Sequence, residues 1–300
     1  MSSFTRHDID IPLTDISLNG WLYRPNTITA VSPVIVMSGG YATVKELFTQ
    51  RFAEHFAKAG FAVVLYDHRN FGQSGGIIRG EIDPWQQVRD MQDVITWTSL
   101  QDGLDPVRIG LWGSSYSGGH ALLLGAMDRR LAAIAVQVPT TNGFASAQRR
   151  IAPHMLCQVL TNHAVDRTAR AQGHSPTRRL VIPQDGEAGI YNSEDAIAFY
   201  GASATLAPHW ENSVTQRSTE LSAQYDPAYC IERISPTPLL MIVARQDTVT
   251  PTDLALSAYQ RALEPKKLVL TPGGHFDVYD RAFDQAADQA RDWFIEHLAA

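Results

Sequence analysis

The sequence is poor in cysteine, in long apolar runs and in clustered charge. Only Cys157 and Cys230 occur in 300 residues. Their spacing makes no metal site, and both are expected to be free thiols in a cytosolic chain. No apolar stretch approaches the roughly 20 residues that a membrane-spanning helix needs. Residues 1–8 lack the charged start and apolar block of a secretion signal, so a cytoplasmic location is expected. A net charge of −6 and the want of any long basic run argue against a nucleic-acid surface. Internal repeats and low-complexity segments are also missing.

What is there is 44% hydrophobic residues, enough for one large core. Residues 5–24 alternate like a hairpin, with Asn19-Gly20 and Pro25 as turn signals. Continuous apolar runs, expected as buried strands, lie at 33–41, 60–67, 107–112, 131–139, 238–244 and 267–270. Helical patterns separate them, one through Phe48, Phe52, Phe56 and Ala59. Another opens at Asp83-Pro84-Trp85, with Asp83 placed to cap it and Pro84 in its first turn. The last two are expected near 251–263 and 280–298. Such alternation predicts an α/β fold, a mostly parallel sheet with helices on both faces. It lapses over 141–226, which Pro153, Pro176, Pro183 and Pro208 interrupt. That stretch holds too much apolar material for a disordered loop and is expected to be an inserted, mainly helical lid. The core is then 1–140 and 227–300.

Chemistry concentrates in Gly113-Ser114-Ser115-Tyr116-Ser117-Gly118-Gly119, where a buried strand meets a helix through small residues. A sharp strand-to-helix turn lifts one side chain from the sheet end and leaves the first N–H groups of the helix free for an anion. The pattern is not a full G-x-S-x-G. Centred on Ser115 it has Ser117 where the second Gly belongs; centred on Ser117 it lacks the first Gly. A strand ending at Trp112 puts the turn at Gly113 and makes Ser115 the expected nucleophile. Read alone, the same letters describe a plain Gly/Ser turn.

A serine needs a base to take its proton and a carboxylate to hold that base. Asp247 lies just past the strand at 238–244, and His275 follows Gly273-Gly274 just past the strand at 267–270. Serine, acid and histidine thus occur in the expected order, each at a strand's carboxyl end. Asp253 competes for the acid role. The strand ending in Ser38-Gly39-Gly40-Tyr41 stands where an oxyanion hole draws its second donor, the first being the Tyr116 N–H. Tyr41 is preferred for the second, with Gly40 open. Gly39-Gly40 lacks the G-x-G-x-x-G spacing of a dinucleotide turn.

Taken with the Gly39-Gly40 turn, the loop from Asp67 to Gly75 with Arg69, Gly72 and Ser74, Asp247 and Gly273-Gly274-His275-Phe276, the chain resembles the α/β-hydrolase superfamily over essentially its full length. Val44-Lys45-Glu46, Asp83-Pro84-Trp85 and Gly-Ser-Ser-Tyr-Ser-Gly-Gly resemble its dienelactone-hydrolase-like and S15-peptidase-like branch. That branch includes esterases and acyl- or polyketide-transferring proteins. The resemblance implies hydrolysis or transfer of an acyl group, and a structural rather than catalytic part for the Arg69, Gly72 and Ser74 loop.

The expectation is a serine hydrolase of a small carboxylic ester, with no metal or organic cofactor and with a homodimer as a possible assembly. A thioesterase or acyltransferase acting on carrier-protein or coenzyme A thioesters is the alternative, and Arg149-Arg150 and Arg178-Arg179 would meet its phosphates or an acidic face. A non-catalytic binding protein on the same fold is the third reading.

Overall fold

The computed structural model describes residues 3–26 and 31–298. Met1 and Ser2, the head of the stretch read for a leader, lie outside the described residues. The alternating N-terminal residues form an antiparallel hairpin, β1 (Phe4–Pro12) and β2 (Ser17–Pro25). Its turn is Leu13 to Ile16, closed by the Leu13 N–H to the Ile16 carbonyl at 2.8 Å. Asn19-Gly20, expected as a turn, instead lies inside β2. There Gly20 pairs with both Ile9 and Tyr66, and a Cβ would stand 2.7 Å from the Leu65 carbonyl. Close approach of a neighbouring strand, not a reversal of the chain, is what needs that glycine.

The next elements follow the expected alternation: β3 (Ser32–Ser38), α1 (Thr49–Lys58), β4 (Ala62–Tyr66), α2 (Pro84–Ser99), β5 (Leu104–Ser114), α3 (Tyr116–Met127) and β6 (Leu131–Gln137). Asp83 caps α2, accepting from the Trp85 and Gln86 N–H groups, with Pro84 in the first turn. The stretch 141–226 contains α4 (Gly143–Arg150), α5 (Leu156–Ala171), β7 (Arg178–Arg179), α6 (Glu194–Gly201), α7 (Ser203–Leu206), β8 (Val214–Thr215) and α8 (Gln216–Ala223). Alternation then resumes with β9 (Leu239–Ala244), α9 (Thr252–Arg261), β10 (Lys266–Thr271) and α10 (Phe283–Leu298).

Eight strands make one sheet in the order β1-β2-β4-β3-β5-β6-β9-β10, parallel from β4 onward. The helices α1 and α10 pack together on one face, α2 and α3 on the other. Trp112 of β5, fully buried, packs tilted against Phe52 and edge-on against Phe56 of α1, at 5.0 and 6.4 Å between ring centres. Parallel strands covered on both faces must be apolar throughout, which is why they were readable as continuous runs. One boundary differs: β5 does not stop at Trp112 but runs to Ser114, because Gly113 and Ser114 keep pairing with Val136 and Gln137 of β6. No helix among the described residues is long and apolar enough to cross a membrane.

Candidate active site

The sheet's carboxyl edge gathers Ser115 after β5, Asp247 after β9 and His275 after β10. Ser115 has φ 56° and ψ −115°, a conformation costly for a side chain with a Cβ. Two backbone bonds over-determine it: its N–H donates to the Gln137 carbonyl at 2.9 Å, and its carbonyl accepts from the Thr140 N–H at 2.8 Å. Gly113 is required below it, since a Cβ there would meet the Ser117 carbonyl at 2.2 Å.

His275 Nε2 lies 3.0 Å from Ser115 Oγ, and His275 Nδ1 lies 2.8 Å from Asp247 Oδ2. All three residues are buried. An ionised Asp247 only accepts, so Nδ1 carries the imidazole proton and Nε2 turns its lone pair to the serine. The other oxygen of Asp247 accepts the Val249 and Thr250 N–H groups, both at 2.8 Å. The carboxylate is therefore aimed by its own loop. Asp253, the rival acid, is instead exposed and forms a two-pronged pair with Arg149 at 2.6 and 2.7 Å. Gly273, at φ +81°, lets His275 fold back, and Asp277 closes the loop by accepting the Gly274 N–H at 2.8 Å.

Thr250 was not anticipated. Its Oγ1 lies 2.9 Å from Asp247 Oδ2, 3.2 Å from His275 Nδ1 and 2.9 Å from the Val138 carbonyl. The signal was present: a hydroxyl three residues after Asp247, the spacing at which a short side chain folds back on its own turn.

Gly40 passes beside Ser115, and a Cβ on it would stand 3.0 Å from that of the serine. The Gly40 carbonyl accepts from the Thr43 hydroxyl at 3.1 Å, which fixes the plane of the Gly40–Tyr41 peptide and turns the Tyr41 N–H to the opposite side. Among the described residues neither the Tyr41 nor the Tyr116 N–H has a protein acceptor. From the stretch 141–226, the Tyr200 hydroxyl donates to the Tyr41 carbonyl at 2.8 Å and Trp210 Nε1 to the Ala42 carbonyl at 2.7 Å.

Ser117, the departure from the glycine pattern, is fully buried. Its Oγ donates to the Gly39 carbonyl and accepts from Ser38 Oγ at 3.0 Å, with His68 Nε2 at 2.9 Å. Burial lowers the His68 pKa to about 4, so the ring is neutral at pH 7. Ser117 thus ties the turn after β3 to the start of α3. Ser117→Ala would leave those buried groups short of a partner, at about 1–3 kcal/mol. Thermal unfolding is expected roughly 5 °C lower for a protein of this size. An unchanged melting curve would show that the tie contributes nothing.

The Ser115 side opens on a cavity of about 280 Å³, walled by Tyr41, Tyr116, Thr140 and Val249 on the core side and by Tyr191 and Gln216 from the stretch 141–226. A buried serine, an imidazole lone pair and two unpaired N–H groups at one sheet edge suit acyl chemistry. Fold and site define an enzyme of the α/β-hydrolase class. More narrowly, the chain belongs to the S15 family, described as X-Pro dipeptidyl-peptidase, whose model matches residues 15–277. It is 29% identical to a thiohydrolase of Eupenicillium brefeldianum over 97% of this chain and 94% of that one. It is 31% identical to the quorum-quenching protein AidA of Acinetobacter baumannii, over 91% and 88%. The solved α/β hydrolase GrgF of Penicillium sp. sh18 superposes with a TM-score of 0.85 at 27% identity, covering 99% of this chain and all of that one.

Proposed function

We propose that this enzyme hydrolyses a small carboxylic ester through an acyl-enzyme. The observation that carries the reading is the hydrogen-bonded line Ser115–His275–Asp247 beside a cavity. Ser115 Oγ attacks the carbonyl carbon as His275 Nε2 takes its proton. Asp247 stabilises the imidazolium, and His275 then protonates the departing alcohol. Water, deprotonated by His275, releases the acid and restores the serine. The Tyr41 and Tyr116 N–H groups serve as the oxyanion donors, each worth about 3 kcal/mol of barrier in this kind of site. The stretch 141–226 acts as the lid, over a core of 1–140 and 227–300, and the work is done in the cytoplasm.

The thiohydrolase relative favours a second reading, in which the leaving group is a thiol. Neither curated relative compared above carries a peptidase name. Mass spectrometry of the intact protein separates the readings after mixing with short p-nitrophenyl esters or with acyl thioesters. Ester turnover with a transient acyl mass on Ser115, missing from Ser115→Ala, is the expected result. An adduct formed only from thioesters moves the substrate to that class. No adduct from either, in folded protein, sinks the acyl-enzyme.

A further inference from the structure

Among the described residues the cavity wall contains no aspartate or glutamate, although the chain carries 31 acidic residues against 25 Lys and Arg. It does contain two arginines from separate elements, Arg150 at the end of α4 and Arg179 in β7. Their sequence neighbours turn elsewhere. Arg149 pairs with Asp253, while Arg178 bonds Ser213 Oγ at 2.9 Å and lies 3.8 Å from Glu211. Among the described residues Arg150 meets no carboxylate. Its Nη1 donates to the Val249 carbonyl at 3.2 Å and its guanidinium faces the Tyr191 ring at 6.0 Å. Arg179 makes no ion pair among the described residues, and both cations lie close enough to the Tyr41 hydroxyl for their charge to act on it.

That hydroxyl is the second, independent sign. Tyr41 is only 6% exposed and lines the cavity, yet its hydroxyl has no hydrogen-bond partner among the described residues. Ser222, close enough to act on that hydroxyl, spends its own proton on the Ser218 carbonyl at 2.7 Å and meets the Tyr116 hydroxyl at 3.0 Å. An unsatisfied buried donor beside two guanidinium groups, with no acid in the wall, is a site for an anion.

We infer that the cavity is an anion-recognition subsite: the substrate carries a carboxylate or phosphate held by Arg150, Arg179 and the Tyr41 hydroxyl. This rests on the acyl-hydrolase reading for its substrate, but its binding step does not depend on turnover. The anion has two sources, a free carboxylate at the far end of the acyl group or the phosphates of a coenzyme A type leaving group.

Calorimetric titration of the Ser115→Ala protein tests it in two arms, monomethyl glutarate against dimethyl glutarate, and coenzyme A against pantetheine. The charged member of at least one pair should bind about tenfold more tightly, as one charge-assisted contact provides. That advantage should fall with added salt and largely vanish in Arg150→Met and Arg179→Met made in the same background. An advantage in the glutarate arm alone assigns the anion to the acyl group; in the coenzyme A arm alone, to the leaving group. Equal affinities within both pairs overturn the subsite, as does an advantage that survives both arginine substitutions. If charged ligands bind as expected while no ester or thioester acylates Ser115 in the unsubstituted enzyme, the hydrolase reading fails and the subsite stands.

Discussion

Ser115→Ala is expected to lower kcat on the enzyme's acyl substrate by about 10⁶-fold, with substrate affinity retained. The size follows from the three groups acting as a unit: without Oγ there is nothing for His275 to deprotonate. His275→Ala should cost about as much, and the double variant no more than either alone. Asp247→Asn should cost about 10⁴-fold, because an amide in place of the carboxylate favours the wrong imidazole tautomer. Asp253→Ala should leave the rate where it was, since that carboxylate pairs with Arg149 on the surface. Saturation kinetics on the five variants, with folding checked by circular dichroism, measure these differences. A Ser115→Ala rate within tenfold of the parent would require another nucleophile.

The largest expected stability effect lies away from the chemistry. Lys45 is 1% exposed, and its Nζ lies 2.7 Å from Asp67 Oδ2 and 3.3 Å from Glu46 Oε1. Its own N–H donates to Asp67 Oδ1 at 2.6 Å. Asp67 in turn organises the loop that follows. Its carbonyl accepts the Ser74 hydroxyl at 2.6 Å, and a Cβ on Gly72 would come within 2.2 Å of its carboxylate. The resemblance gave Arg69, Gly72 and Ser74 a structural part, and their contacts are with Asp90, Asp15 and Asp67.

Lys45→Met keeps much of the packing but strands the buried carboxylate, at about 3–5 kcal/mol. The melting temperature should drop by roughly 10 °C. Burial raises the Asp67 pKa, and the Lys45 charge opposes that rise. Without the ammonium group the folded protein binds the Asp67 proton more tightly than the unfolded chain does. The variant's deficit should therefore shrink as the pH falls toward the ordinary carboxylate range. Adding Asp67→Asn should recover part of the loss. Urea unfolding at two pH values measures both effects, and a deficit that grows on acidification would contradict the mechanism.

Most of the sheet was legible because its parallel strands, the edge strand β10 excepted, are buried on both faces, so each of them contains a long apolar run. The positions of Ser115, Asp247 and His275 were legible for a related reason, each following such a run directly. Where reading failed, a distant contact decided the local structure. Asn19-Gly20 carries the letters of a turn, but the Leu65 carbonyl of another strand is what demands the glycine. The end of β5 depends on pairing with β6, which no local pattern in 107–114 encodes. Within 141–226 the partners lie farther still, Tyr200 reaching Tyr41 across 159 positions. Which arginine of each adjacent pair turns inward is set by how α4 and β7 sit, and the dipeptides alone are silent on that.

The bonds from Tyr200 and Trp210 to the carbonyls of Tyr41 and Ala42 also limit how this enzyme can be re-engineered or diversified. A chimera that imports the 141–226 stretch of a relative would not merely exchange a substrate wall. Unless the import brings donors at the positions of Tyr200 and Trp210, the turn after β3 loses two of its anchors. Under the proposed function, specificity and catalytic competence would be inherited together, so new substrates would be reached more readily by point changes in the wall than by exchanging the whole stretch.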